Sequence, residues 1–168
     1  MKIAFYIGTH ASDKFIVRLG VKLTRLVQKG PYGNVTHVEA IHKEYADGTV
    51  TIASSSIRDG GVRTKRVKLT RDNWIIVDVQ QWDVFLSLQL FSHTLGDSYD
   101  WRGALATALP GHNDSSAWFC NEWVSYPYLK SAANFGPHQL AAICLSIGTD
   151  ITNDFFNKIE SNFETDKN

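Results

Sequence analysis

Short apolar or alternating runs lie mainly in the first half of the chain, and helical periodicity dominates the second half. Alternation predicts strands, because successive side chains on a strand point to opposite faces. Such runs predict strands at residues 3–8, 35–43, 49–55, 62–69 and 74–79. The turn sequence Ala46-Asp47-Gly48 joins the second and third runs, which predicts a β-hairpin.

Elsewhere, apolar residues recur every three or four positions, which is typical of amphipathic helices. This spacing predicts helices at residues 13–29, 82–95, 101–109, 118–128, 137–146 and 154–163. Pro137 stands at the first position of its helix, where the missing N–H costs no hydrogen bond. One helix, then antiparallel strands, then helices predicts an α+β fold. We expect a single domain at residues 1–163 and a polar tail at 164–168.

The composition argues against several classes of partner. Hydrophobic residues make up 43% of the 168 residues, which is enough for one packed domain. Lys plus Arg equals Asp plus Glu at 17 each, so no net charge attracts a nucleic acid or an acidic membrane. No apolar stretch approaches the ~18–20 residues of a membrane helix, and the N-terminus does not resemble a secretory signal. We therefore expect a cytoplasmic protein with no nucleic-acid partner and no integral membrane association; its oligomeric state is not predicted.

A basic run lies within one predicted strand and just beyond it. Its five members are Arg63, Lys65, Arg66, Lys68 and Arg71. A solvated strand face explains this run at least as well as a phosphate-binding patch does.

Cys120 is the first candidate for chemistry, because it follows a cluster of helix-capping residues at 113–116. A cysteine in the first turn of a helix faces unpaired N–H groups and the positive end of the helix dipole, which favour the nucleophilic thiolate. The alternative is a small buried core residue. Cys144, inside the apolar run 140–147, is interpreted as core. We expect no disulfide between the two in a reducing compartment.

His37 is the second candidate, on a predicted strand where it shares one face with Glu39 and Ile41. An imidazole held on a rigid strand can deprotonate a thiol that the fold brings near, although a strand histidine can also be purely structural. The histidines show no metal-ligand spacing such as HExxH, and no phosphate-binding glycine loop is present. We therefore expect neither a metal nor a cofactor.

Four short segments together resemble one family, the circularly permuted NlpC-type cysteine peptidases. Residues 36–41 resemble the histidine strand of that family, Ser/Thr-His-Val-Gly-Ile. Residues 118–124 resemble its cysteine helix, aromatic-Cys-Ser-Glu-aliphatic-Val. Residues 59–63 resemble its Gly-Val-Arg strand start, and residues 99–101 resemble the Tyr-Asp before the cysteine helix.

The resemblance implies a circularly permuted papain-like fold, in which a small antiparallel sheet packs against helices and the histidine strand precedes the cysteine helix. Members hydrolyse amide bonds, often in cell-wall peptides, and relatives related to lecithin retinol acyltransferase transfer acyl groups. It implies a cysteine peptidase or amidase that forms a thioester at Cys120, with His37 as general base and then general acid. Tyr99, Asn121 and Trp118 would serve substrate binding or the oxyanion region.

The sequence departs from the family pattern at three places. Glu39 replaces the glycine after the histidine, and Asn121 replaces the serine after the cysteine. Family members orient the imidazole with a polar residue on the next strand, but residues 49–55 contain no His, Glu or Asp. Ser54, Ser55 or Glu39 itself is left to orient His37.

Two other functions stay open on the same fold. An acyltransferase or deacylase acting on a lipid or an acylated protein would show an apolar patch at the cleft, built from Trp101, Leu105, Trp118 and Trp123. A catalytically inactive module that binds a peptide or a protein is favoured by the missing polar residue on the strand after the histidine.

Overall fold

The computed structural model describes residues 1–8, 32–100, 102–103, 117–129 and 136–165. The strands in this part are β1 (Lys2–Tyr6), β2 (His37–Glu44), β3 (Val50–Ser56), β4 (Gly61–Val67), β5 (Trp74–Asp78), β6 (Ser98–Tyr99), β7 (Ala117–Trp118) and β8 (Thr149–Asp150). The helices are α1 (Val84–Thr94), α2 (Cys120–Leu129), α3 (Pro137–Ile147) and α4 (Thr152–Thr165), with one 3₁₀ turn at Arg71–Asn73. The α+β class and the five longer strands are confirmed.

The eight strands form one sheet in the order β7-β6-β4-β3-β2-β1-β5-β8. All neighbours are antiparallel except the short pair β6 and β7. The hairpin of β2 and β3 has the predicted turn, in which Gly48 takes a positive φ of 71°. β1 lies in the interior of the sheet between β2 and β5, so the first residues of the chain hold the centre of the fold together.

Helices cover both faces of the sheet. On one face, Val38 and Ala40 of β2 pack with Trp123 of α2 and Leu140 of α3. On the other face, Ile41, Ile52 and Ile76 pack with Phe155 and Phe156 of α4. The alternation along β2 therefore sends His37 and Glu39 to the face that carries Ile41, whereas α2 lies on the opposite face.

The cysteine helix begins two residues later than the sequence predicts. Trp118 lies on β7, beside Tyr99 of β6, and its carbonyl accepts the Asp100 N–H at 2.9 Å. The sequence also gives no signal for β6, β7 and β8, because a two-residue strand is too short to show a period. The predicted helix at 13–29 and nearly all of the segment 101–109 lie outside the described residues.

Among the described residues, no helix is both long and apolar enough to span a bilayer. In the same part of the chain, no three His, Cys, Asp or Glu side chains are arranged to hold a metal ion. Cys120 and Cys144 are both free and buried, and the interpretation of Cys144 as core is confirmed.

Candidate functional site

Cys120 is the first residue of α2, so its side chain lies where the N–H groups of a helix have no partner within the helix. In the thiol form, its Sγ donates a long hydrogen bond of 3.7 Å to Asn121 Oδ1. The carboxylate of Glu122 accepts the backbone N–H of Phe119, which is one half of a capping box. Glu122 thus caps the helix, and its side chain is buried, with 3% exposed.

Trp123 fixes α2 against the sheet. It is completely buried, and its Nε1 donates to Thr94 Oγ1 of α1 at 2.8 Å. Its ring lies 6.4 Å from Phe91 and 6.5 Å from His42, measured between centroids. This packing sets the position of the helix N-terminus, and with it the position of Cys120, relative to β2.

His37, the first residue of β2, lies between Cys120 and Glu39. Its imidazole is within hydrogen-bonding reach of the Cys120 thiol. Its Nε2 is 2.7 Å from Oε1 of Glu39, which is 1% exposed. The structure therefore brings together the predicted nucleophile, the predicted base and one of the three residues predicted to orient that base.

Arg63 holds the Glu39 carboxylate from the other side. Its two terminal nitrogens donate to Oε2 at 2.6 Å and to Oε1 at 2.5 Å, and its Nε donates to Asp59 Oδ2 at 2.8 Å. Lys65 also contacts Asp59. Bidentate Arg–carboxylate pairs fix orientation as well as charge, so the side chain of Glu39 is locked toward His37.

Ser54 lies between Arg63 and Glu39 on the sheet. It is directly opposite Arg63 on β4, and the neighbouring pair Ala53 and Ala40 places it beside Glu39 on β2. Its hydroxyl donates to the Ser55 carbonyl at 3.3 Å, while Ser55 donates to the Trp118 carbonyl at 2.6 Å. The small side chain of Ser54 leaves room for Arg63 to reach across the strand to Glu39, whereas Glu39 itself holds the imidazole.

The charges of this cluster stabilise one another. Burial alone lowers the pKa of His37, but the Glu39 carboxylate and the Cys120 side chain outweigh burial and raise it from 6.5 to about 9. Burial alone raises the pKa of Glu39, but His37 and Arg63 outweigh it and hold that pKa below its ordinary value. The pKa of Arg63 is raised, because its carboxylate partners outweigh burial. His37 is therefore an imidazolium at neutral pH.

Tyr99 borders Cys120 from the short strand β6. Burial raises the pKa of Tyr99 well above 10, and the charges of Cys120 and Asp100 add to that effect. The close approach of β6 to β4 depends on Gly61, because a Cβ there would lie 1.9 Å from the carbonyl oxygen of Asp97. Gly61 belongs to the segment that resembles the family pattern. The structure explains why this position has to be glycine, because any side chain would push β6 away from β4.

The remaining predicted site residues flank the cysteine. Asn121 is 1% exposed and accepts the bond from Cys120 described above. Trp118 is half-buried, and its Nε1 donates to Asp97 Oδ2 at 3.0 Å. Trp123 is part of the core, so it is unable to belong to an apolar surface patch, and Trp101 and Leu105 lie outside the described residues.

Two buried carboxylates lie behind the nucleophile. Asp100 is 4% exposed, and its Oδ1 accepts the Gly103 N–H at 2.7 Å. Burial raises the pKa of Glu122 to about 7 against the helix-capping bond to Phe119, and the charge of Asp100 raises it further. Within the described residues, Asp100 Oδ2 and Glu122 Oε2 have no hydrogen-bond partner. Unpaired buried oxygens favour a proton on one of them.

A groove of about 450 Å³ opens on the sheet face that carries His37 and Glu39. Its charged and aromatic lining consists of Tyr6, His37, Glu39, Arg58, Asp59, Arg63, Lys65, Lys68 and Trp74. His37 thus faces Cys120 on one side and this groove on the other.

The residues that sequence reasoning missed are Arg63 and Asp59, which complete the cluster. The interpretation of the basic run as a solvated strand face fails for Arg63, whose side chain is only 16% exposed. The sequence does contain one indication that these residues belong to the site, because Arg63 and Asp59 lie within the segment 59–63 that resembles the family pattern. Sequence spacing does not show that this strand lies two strands away from Glu39.

Comparison of the chain with models of known protein families, with curated proteins and with solved structures finds no match. The family likeness is therefore carried by the four short segments alone, and the function has to be argued from the geometry of the cluster.

Proposed function

We propose that this protein is a cysteine hydrolase, an amidase or peptidase, that acts through a thioester at Cys120. The observation that carries the proposal is the position of His37, between the Cys120 thiol and the buried Glu39 carboxylate. A nucleophile, a base and a group that orients the base are the parts that such chemistry requires. The order of the histidine strand and the cysteine helix is that of a circularly permuted papain-like fold.

The raised pKa of His37 favours a defined sequence of proton transfers. The Cys120 thiolate attacks the carbonyl carbon of the amide, and His37, already protonated, gives its proton to the leaving amine as the C–N bond breaks. Neutral His37 then takes a proton from the water that attacks the thioester, and Cys120 leaves again as thiolate. His37 acts as acid first and base second, which reverses the order expected from the sequence.

The first N–H groups of α2 are suited to the oxyanion of the tetrahedral intermediate, because they point outward at the helix end that holds Cys120. Tyr99 and Asn121 border the same position and would complete the oxyanion and substrate-binding region, with Trp118 beside them. In this proposal Ser54 transfers no proton. Its small side chain leaves room for Arg63 to reach Glu39.

Two alternatives are less well supported by the described residues. Lipid acyl transfer calls for an apolar patch at the cleft, but Trp123, one of the residues expected to build that patch, is in the core. An inactive binding module was favoured by the missing polar residue, but Glu39 supplies that residue from the histidine strand itself.

The test is the pH dependence of iodoacetamide alkylation, read for each cysteine by peptide mass spectrometry. Cys144 is the internal control, because burial raises its pKa to about 12 and predicts negligible labelling of the folded protein. We expect Cys120 to label at pH 6 and His37→Ala to abolish that labelling, since a neighbouring imidazolium favours the thiolate.

Labelling of Cys120 that is unchanged in His37→Ala, or no faster at pH 6 than that of Cys144, would contradict the proposal. Screening of amide substrates follows, with Cys120→Ala as the control variant. Hydrolysis that persists in Cys120→Ala would exclude the thioester mechanism.

A further inference from the structure

The charged groups around His37 form a continuous chain in which the sign of the charge alternates. Each group makes a hydrogen bond or an ion pair with the next. In order, the members are Cys120, His37, Glu39, Arg63, Asp59 and Lys65. The proposed proton transfers use the first two members, Glu39 orients the imidazole, and Arg63 locks Glu39. Asp59 is therefore the first member of the chain without an assigned part in the reaction.

The Arg63 guanidinium is held along two of its edges. Its terminal nitrogens donate to the two oxygens of Glu39 at 2.6 and 2.5 Å, and its Nε donates to Asp59 Oδ2 at 2.8 Å. A guanidinium is planar, so bonds along two edges fix the direction of its plane as well as its position. Glu39 takes its own orientation from this plane, because Oε1 binds both Arg63 and His37. Loss of the Asp59 bond would leave Arg63 held only by the group that it orients.

The backbone fixes Asp59 independently of its side-chain bonds. Asp59 lies in the turn between β3 and β4, where its N–H donates to the Ser56 carbonyl at 3.1 Å. The next residue, Gly60, has a positive φ of 82°, a conformation that favours glycine. Its carbonyl accepts the Tyr99 N–H at 3.0 Å, so the same turn is tied to the strand β6 that borders Cys120. The Asp59 carboxylate is thus presented from a turn of defined geometry.

The pair of Asp59 and Arg63 is more enclosed than an ordinary surface ion pair. Its two side chains are 20% and 16% exposed, whereas those of Asp47 and Arg66, a pair that also involves β4, are 54% and 51% exposed. Burial raises the pKa of Asp59, but the bonds from Arg63 and Lys65 outweigh burial and hold that pKa below its ordinary value. Asp59 is therefore an anion at neutral pH. A charge-assisted bond that is partly shielded from solvent anchors Arg63 more firmly than an exposed one.

We infer that Asp59 is a positioning residue of the proposed hydrolase. It anchors Arg63 from the turn, Arg63 keeps the Glu39 carboxylate directed at the imidazole, and the imidazolium is thereby held beside the nucleophile. The inference rests on the proposed function, because the group that is positioned is the acid and base of that reaction. Asp59 acts through Arg63 and Glu39, so its removal should change the state of His37 without changing the fold.

The experiment compares Asp59→Ala with the natural protein by NMR. The first readout is the titration of the His37 ring protons, and the second is the Nε–H signal of Arg63 at neutral pH. We expect Asp59→Ala to lose the Arg63 signal to exchange with water, because the hydrogen-bond acceptor of that group is gone. We expect the pKa of His37 to fall from about 9 by roughly one unit, the change that Coulomb's law gives when an enclosed ion pair lengthens by about 1 Å.

Two variants separate positioning from the loss of a charge. Asp59→Asn keeps an acceptor for Arg63 Nε but removes the charge, so it should retain the Arg63 signal and most of the raised pKa of His37. Asp47→Ala is the matched control, since it removes the aspartate of the exposed pair with Arg66, and it should leave the pKa of His37 unchanged. Equal falls in Asp59→Ala and Asp59→Asn, or in Asp59→Ala and Asp47→Ala, would overturn the inference.

A second background shows whether Asp59 acts through Glu39. In Glu39→Gln the carboxylate that Arg63 holds is absent, so Asp59→Ala should cause no further fall in the pKa of His37. A further fall of the same size as in the natural protein would overturn the inference, as would a pKa of His37 that Asp59→Ala leaves unchanged. An equal shift in the titration of His42 would assign the effect to the fold as a whole and would overturn it as well.

Failure of the inference is distinguishable from failure of the proposed function. Alkylation of Cys120 at pH 6 in the natural protein tests the nucleophile, so its absence contradicts the hydrolase. Alkylation that is present, together with a pKa of His37 that does not respond to Asp59→Ala, contradicts only the role of Asp59.

Discussion

Replacement of Glu39 by glutamine tests the central electrostatic argument of the site. In the natural protein, burial lowers the pKa of His37, but Glu39 and Cys120 raise it to about 9. Glu39→Gln keeps the shape of the side chain and removes its charge, so that burial, which lowers the pKa of His37, is then opposed by Cys120 alone. We expect the pKa of His37 to fall to its ordinary 6.5 or below.

The size of this effect follows from the two pKa values. The rise from 6.5 to about 9 corresponds to about 3 kcal/mol of net stabilisation of the imidazolium, at ~1.4 kcal/mol per pKa unit. Because the pKa is higher in the folded than in the unfolded protein, this stability is complete below pH 6.5 and is lost as the pH rises through 9. In Glu39→Gln that loss between pH 6.5 and 9 should disappear.

The assay is NMR titration of the histidine ring protons, with His37→Ala to assign the signal. His42 is an internal reference, because burial lowers its pKa to about 4 and it bonds to Ser87 instead. Glu44→Gln is the matched control, since Glu44 is on the same strand but pairs with Lys2 and Lys158. A His37 signal in Glu39→Gln that still titrates near pH 9 would refute the argument.

Two further predictions concern stability and are measured by urea unfolding. Arg63→Met should destabilise the protein by about 3–5 kcal/mol at pH 7, because it leaves the buried Glu39 carboxylate without its bidentate partner. Arg66→Met, which breaks an exposed pair with Asp47, should cost no more than ~1 kcal/mol, and equal losses would contradict this explanation. Glu122→Gln should gain stability relative to the natural protein as the pH rises from 4.5 through 7, by about 3 kcal/mol, because the folded pKa of Glu122 is raised. A difference between the two proteins that is the same at pH 4.5 and pH 8 would show that Glu122 does not titrate in this range.

Local sequence patterns predict most of the strands and helices that the structure describes. The alternation in β2 predicts that His37, Glu39 and Ile41 share one face, and the structure confirms it. The five longer strands and the four helices of the described residues follow the predicted periods, because each is long enough to bury one face repeatedly. The short strand of Trp118 was predicted as helix, since two residues carry no period and its place is set by Tyr99 and Asp100.

The sequence by itself determined the longer strands, the helices and the two candidate residues for chemistry, because capping, period and spacing are local properties of the chain. Tertiary structure alone decided which residue orients His37. The sequence left Ser54, Ser55 and Glu39 as alternatives, and the choice depends on Arg63 reaching across β3 from β4. The charge state of His37 also depends on Glu39, Cys120 and burial acting together at one point. These effects on the pKa of His37 come from residues that are distant in sequence. They combine only when the sheet and the cysteine helix are assembled.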